Sequence, residues 1–245
     1  MLSKTHAKYI QSLHHKKFRD EEGLFIAEGD KVVLDLLQSG KFLCKELFAL
    51  KDWLQDNEIN IRKSYSGVFE IITEIELEKI SALSTPNQVL AVFYKAIKAP
   101  VDIKGKISLM LDTIQDPGNL GTIIRIADWF AISTIICSEG TADIYNPKVV
   151  QSTMGSLGRV DIYYTDLHEV LQQYNTIKVY ATALDGKDVA TIKGIKEGII
   201  IIGNESKGIS PSLLELAGEK ITIPKKGNAE SLNAAVAAGI ILSHI

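Results

Sequence analysis

Five apolar runs stand in the C-terminal half of the chain, at residues 108–112, 134–138, 179–184, 199–203 and 220–224, and the first four are hydrophobic at successive positions rather than at alternate ones. A strand with one face in water alternates apolar and polar residues, whereas a continuous run needs cover on both faces, as in a parallel sheet sandwiched between helices. Between and after these runs the apolar spacing is helical at 120–130, 147–154, 167–174, 211–217 and 231–243. This half therefore reads as an α/β fold with a parallel sheet.

The N-terminal part reads as a second, smaller α/β unit, with strands at 24–28, 45–50 and 89–94 and helices at 31–38, 51–57 and 75–83. The stretch 95–106 loses periodicity and carries Pro100 and Gly105, which makes it the linker candidate between domains at 1–98 and 107–245. A chain of 245 residues that is 46% hydrophobic can fill two cores of this size.

Charge is nearly balanced over the whole chain, 27 Lys and Arg against 30 Asp and Glu, so only local patches bear on a nucleic-acid partner. One patch precedes Asp20: Lys4, Lys8, Lys16, Lys17 and Arg19, with no acidic residue among them. It reads either as a solvated helix face or as a contact for RNA phosphates. Cys44 and Cys137 sit in apolar strand contexts without metal-ligand spacing, so buried thiols are expected and neither a disulfide nor a metal site is. The N-terminus is polar from Ser3 onward, and the most apolar helix, 234–242, is too short to cross a bilayer. A cytoplasmic protein with no membrane partner is the expectation.

Three polar segments follow apolar runs directly, where α/β folds place ligands. DPGNLGTIIR (116–125) turns sharply at Pro117 and Gly118 and sets Asn119 near a helix start, with Arg125 almost two turns later. GNESKG (203–208) has the glycine spacing of a phosphate loop, but Lys207 precedes the second glycine and Ile209 follows it, so the lysine cannot play its usual part. IPKKGNAESLN (223–233) leads into a small-residue helix with Ser231 as the expected N-cap and Asn233 in the first turn. With no GxGxxG present, a dinucleotide-dependent enzyme is disfavoured.

Together, in this order and context, the three segments resemble the signature motifs of the SpoU (TrmH-like) class of SPOUT RNA ribose methyltransferases. The N-terminal unit, through FIAEGDKVVLDLL and TPNQVLAVF, is similar to that family's L30e-like RNA-binding domain. One departure is Ala131, which stands where the family commonly has glycine after the first motif's helix.

The resemblance implies a catalytic domain with a deep trefoil knot, an exception to the rule against knots. It further implies S-adenosyl-L-methionine as cofactor, a ribose 2′-hydroxyl of RNA as acceptor, a homodimer formed through the catalytic domain, and no metal. The catalytic set it implies is Asn119, Arg125, Glu205, Ser231 and Asn233. The cofactor set is Thr182, Ala183, Leu184, Gly203, Asn204, Glu205, Ile223, Ser231, Leu232 and Ala234. Ribosomal RNA is the favoured substrate, because a separate N-terminal domain can grip a structured stem beside the target. A transfer RNA methylase, or a catalytically silent RNA-binding protein of the same fold, are the alternatives.

Overall fold

The computed structural model describes residues 2–67, 69–97, 100–192 and 194–245. Its elements in chain order begin with α1 (Lys4–Ser12), α2 (Lys16–Glu22), β1 (Leu24–Glu28), α3 (Asp30–Ser39), β2 (Cys44–Ala49), α4 (Lys51–Arg62), β3 (Phe69–Ile71), α5 (Glu74–Ile80) and β4 (Val89–Tyr94). They continue with β5 (Ile107–Leu111), α6 (Pro117–Trp129), β6 (Thr134–Cys137), α7 (Pro147–Ser152), β7 (Asp161–Tyr164), α8 (Leu167–Gln173), β8 (Val179–Asp188), β9 (Gly198–Ile202), α9 (Pro211–Glu215), β10 (Glu219–Thr222) and α10 (Ala234–Leu242). The chain divides into two compact units, Met1–Ile97 with Asp143–Arg159, and Lys98–Ala142 with Val160–Ile245. Residues 143–159, which the sequence reading placed in the C-terminal body, thus belong with the N-terminal elements. The linker candidate 95–106 falls partly outside the described residues.

In the first unit a four-stranded sheet has the order β1-β4-β2-β3, with β4 antiparallel to both its neighbours and β3 parallel to β2. One face carries Leu24, Ile26, Leu90 and Val92 and is covered by Ile10 and Leu13 from the N-terminal segment and by Leu77 and Ile80 of α5. Phe25 alternates to the opposite side, where it stacks on Phe93 at 5.6 Å and meets Tyr145 at 4.8 Å between ring centroids. Cover on both faces explains why β1 is buried at every position. Strand β3, which the sequence reading lacks, is three residues long and, among the described residues, pairs with β2 alone, too short for a period to show.

The basic N-terminal patch is split by the fold. Lys4, Lys8, Lys16 and Lys17 are exposed. Arg19 is instead 1% exposed, donating to Asp143 at 2.6 Å and to the carbonyls of Leu13 and His14 at 3.0 and 2.8 Å. It is a structural cation, unavailable to a phosphate. His14 donates from Nε2 to the carbonyl of Ile80 at 3.0 Å, and burial lowers its pKa below the ordinary histidine value.

The second unit is built on a six-stranded sheet of order β10-β8-β9-β5-β6-β7 in which every pair is parallel. On one face Met110, Ile136, Ala181, Ile199 and Ile201 join Leu167, Val170 and Leu171 of α8 and Leu213 of α9 in one apolar cluster. The alternate residues Leu109, Leu111, Ile200 and Ile202 are buried as well, as the continuous apolar runs require. Helices α6 and α10 pack against each other. Strand β7 escaped the sequence reading because its four residues, Asp161 to Tyr164, hold a single aliphatic side chain, Ile162, and none of the four is buried.

Two helix starts differ from expectation. Helix α6 begins at Pro117 because Asp116 caps it, accepting the Asn119 N–H at 2.8 Å, and proline suits the first helical position. Helix α10 begins at Ala234 with Asn233 as its cap, accepting from the N–H groups of Ala235 and Val236 at 3.0 and 3.2 Å, whereas Ser231 is exposed and outside the helix. Asn and Ser are near-equal caps, so the choice fell to the asparagine. Ala131, just past α6, has φ of 57°, the left-handed region where glycine is at ease and alanine costs about 1–2 kcal/mol. Among the described residues no helix is long and apolar enough to cross a membrane.

Candidate active site

From β5 the chain steps to β6 on one side, and from β9 it goes on to β10 on the other, so the adjacent C-terminal ends of β5 and β9 form the point where a doubly wound sheet opens a crevice. The first and second motifs leave from these two ends. Asp112 and Thr113 follow β5, and they hold the second motif's loop at both of its ends.

Asp112 is buried and accepts the N–H of Ser210 at 2.8 Å, while Thr113 accepts the side-chain amide of Asn204 on its carbonyl oxygen at 2.8 Å. Thr113 adopts φ of 60°, unusual for a β-branched residue, and is held there by its N–H to Ser138 Oγ at 2.8 Å and its hydroxyl to Asp112 at 3.0 Å. Within the loop Asn204 exchanges backbone hydrogen bonds with Gly208 and takes the N–H groups of Ser206 and Lys207 on Oδ1. Gly203 lies against the returning backbone so closely that a Cβ there would meet the Gly208 carbonyl carbon at 2.3 Å. Only glycine permits this closure.

The third motif completes the arrangement. Asn119, half-buried at the start of α6, donates from Nδ2 to Glu205 Oε1 at 2.5 Å and accepts on Oδ1 from Asn233 Nδ2 at 2.7 Å. One amide thus joins all three segments, and its donor and acceptor are both used, so its orientation is determined.

Of the catalytic set read from sequence, the structure brings Asn119, Glu205 and Asn233 into one hydrogen-bonded chain. Arg125 is exposed on α6 and Ser231 is exposed before α10, and neither has a hydrogen bond or ion pair among the described residues. In the cofactor set, Thr182, Ala183 and Leu184 lie in a stretch of β8 that pairs with no residue of β10, Gly203 and Asn204 form the loop just described, and Ala234 is buried in the first turn of α10. Leu184 and Leu232 are exposed apolar side chains, and Ile223, just beyond β10, is half-buried. Apolar surface beside backbone groups at strand ends suits a ligand with a flat heterocycle and a polar tail.

Sequence reasoning missed Asp112, Thr113, Ser138 and Ser210, which support rather than line the site. The one available signal was an aspartate ending the apolar run LMLD. A cavity of about 690 Å³ lies elsewhere, in the first unit along β2. His6, Lys45, Glu46 and Glu70 line it, and its two basic groups, His6 and Lys45, both already reach Glu46, at 2.7 and 3.8 Å.

Residues 106–243 match the sequence profile of the SpoU rRNA Methylase family, and residues 4–91 match that of the MRM3-like substrate binding domain. A curated relative from Bacillus subtilis, 23S rRNA (guanosine(2553)-2′-O)-methyltransferase RlmP, is 31% identical over 240 residues, covering 96% of this chain and 93% of its own. The crystal structure of an AdoMet-bound rRNA methyltransferase from Sinorhizobium meliloti superposes with a TM-score of 0.88 at 32% identity, covering 100% of this chain and 95% of the other. The SpoU methyltransferase AviRb from Streptomyces viridochromogenes superposes with a TM-score of 0.85 at 25% identity over 98% of this chain and 95% of its own. Asn119 ties together three motifs that lie inside the matched profile, and with relatives of this identity along both units, the chain belongs to the SpoU rRNA methylase family.

Proposed function

We propose that this protein methylates a ribose 2′-hydroxyl of ribosomal RNA, with S-adenosyl-L-methionine as donor. The observation that carries the reading is the Asn119 junction, which gathers the first, second and third motifs at the C-terminal edge of a parallel sheet. When bound, S-adenosylmethionine would supply an electrophilic methyl group on a positively charged sulfur, to be taken by the ribose 2′-oxygen, with S-adenosylhomocysteine as leaving group and the hydroxyl proton released to water.

The chain's own residues align the partners and exclude water. The backbone at Gly203, Ile223 and Leu232 would hold the donor, with Thr182, Ala183, Leu184, Asn204 and Ala234 around it and apolar walls from Leu184 and Leu232. Glu205, through Asn119, braces the second motif against the first. Asn233 links α10 to the same amide, and the exposed Ser231 would meet the ribose. A guanidinium has five N–H donors and no acceptor, so the part of Arg125 is to grip a phosphate and stabilise charge developing on the 2′-oxygen, not to act as a base.

The first unit, with exposed Lys4, Lys8, Lys16 and Lys17, would hold RNA beside the target. The path of the C-terminal segment, from β10 at the sheet edge to a bond with Asn119 at the sheet centre, supports a trefoil knot. The protein acts in the cytoplasm. The deciding assay is incubation with labelled S-adenosylmethionine and unmodified ribosomal RNA, followed by mapping of the label. A single 2′-O-methylated nucleotide is the expected result; transfer to a base, or none to RNA, overturns the reading.

The active form is a homodimer. Trp129 at the end of α6 is 84% exposed, and Val236 on the packed partner helix α10 and Leu232 just before it are about half exposed, an apolar surface that a second copy would cover. Light scattering should report twice the chain mass for the native protein and a monomer for Trp129→Glu. A native monomer that methylates RNA would rule the dimer out.

A further inference from the structure

The parallel ladder between β8 and β10 is interrupted in one place. Glu219 and Lys220 stand opposite Tyr180 and Ala181, but the next residue, Ile221, stands opposite Lys187. Residues 182–186 therefore leave the ladder as a lip on β8, and they include Thr182, Ala183 and Leu184. A stretch released from its hydrogen bonds is ordinarily loose. Here it is locked at the tip, at the base and on the return.

At the tip, Lys220 Nζ reaches Asp185 Oδ2 at 2.9 Å. At the base, the Glu219 carboxylate takes Lys178 at 2.5 Å and Lys187 at 3.5 Å, one lysine from each side of the lip. On the return, Gly186 rests on the backbone of Ile221, where a Cβ would come within 2.5 Å of the carbonyl carbon. Thr222 adds a hydroxyl donated to the Leu184 carbonyl at 3.5 Å. The result holds the Leu184 side chain 77% exposed, at the edge of the sheet where α/β proteins bind ligands. Lys220 also keeps the Asp185 carboxyl below the usual carboxylate range.

We propose that Asp185, Gly186 and Lys220 are positioning residues that hold this lip as a preformed apolar wall for the adenosine end of the methyl donor, with Leu184 as its contact face. The inference rests on the donor-site reading above. Because the lip is ordered before the donor arrives, its ordering is not charged against binding. The Lys220–Asp185 pair is exposed and contributes little to folding, so the lock is felt in donor affinity rather than in melting temperature.

The test uses the full chain and titrates S-adenosylmethionine by calorimetry, alongside donor KM, kcat and melting temperature. Lys220→Glu and Asp185→Lys alone are each expected to weaken donor binding about tenfold and raise donor KM to match, with kcat at saturating donor within about twofold of native. The double exchange, Lys220→Glu with Asp185→Lys, should restore affinity to within about twofold. Gly186→Ala should weaken the donor at least as much as either single change; if that variant fails to fold, the charge exchange still decides. Single variants that bind like the native chain, or a double exchange that rescues nothing, overturn the proposal. A native protein that takes up no S-adenosylmethionine would instead sink the donor-site reading, before any variant is compared.

Discussion

Arg125→Ala is expected to lower kcat for methyl transfer by about a thousandfold while leaving the Kd for S-adenosylmethionine and the melting temperature unchanged, because removing a preorganised donor to a developing oxyanion typically costs about 10²–10³ in rate. The separation follows from where the side chain sits. Arg125 is exposed on α6 and has no partner among the described residues, so its loss strands no buried group. Asn119→Ala is a useful contrast: it removes a donor to Glu205 and an acceptor for Asn233, so donor affinity, stability and rate should all fall together. Arg125→Lys keeps the charge but loses the planar fork, and recovery of only part of the rate would show that bidentate geometry matters. Single-turnover kinetics with calorimetry on the same preparations reads all of this. Normal turnover by Arg125→Ala would remove the residue from the mechanism.

Asp143→Ala should destabilise the protein by about 3–5 kcal/mol, the range seen when one partner of a buried ion pair is removed and the other is left uncompensated. Arg19 is the stranded partner. The residue is 1% exposed, its Nε has no hydrogen-bond partner among the described residues, and its two remaining bonds are to carbonyls that cannot neutralise a charge. Asp143→Asn keeps an acceptor and should cost less. Arg19→Met removes the buried cation itself and leaves an aspartate whose side chain is 14% exposed and can reach water, so it too should cost less than Asp143→Ala. The damage should be local at first, in Asp143–Arg159, which is also held by Arg159 to Asp35 at 3.1 Å, by the Tyr145 hydroxyl accepting the Ala96 N–H at 3.1 Å and by the packing of Tyr145 on Phe25. Calorimetric melting gives the magnitude and hydrogen exchange gives the location. A loss below about 1 kcal/mol would mean the pair is worth no more than a surface one.

Much of the architecture could be read before any coordinates. Strand β4 was read at its observed bounds, and the five apolar runs of the C-terminal half each became a parallel strand: in β5, β6 and β9 burial on both faces marks nearly every residue, whereas β8 is buried over Val179–Ala181 and the edge strand β10 at Ile221. The short elements were lost. Strands β3 and β7 are three and four residues long and partly exposed, and they exist because a neighbouring strand offers them a ladder rather than because their own residues favour one. The N-terminal basic cluster misled in one member, since nothing near Arg19 in the chain announces that it is buried beneath a segment that begins 124 residues later.

What the amino-acid order determined by itself was the parallel sheet, the glycine- and proline-marked corners at its edge and the polar residues those corners carry, all of which are written in periodicities a few residues long. Only the tertiary structure decided which of those residues meet. Asn119 finds Glu205 across 86 positions and Asn233 across 114, Arg19 finds Asp143, and β10 locks a lip on β8 through Asp185 and Gly186. Such pairings are set when the whole sheet desolvates and each buried donor must find an acceptor, a constraint on the assembled molecule that no local window contains.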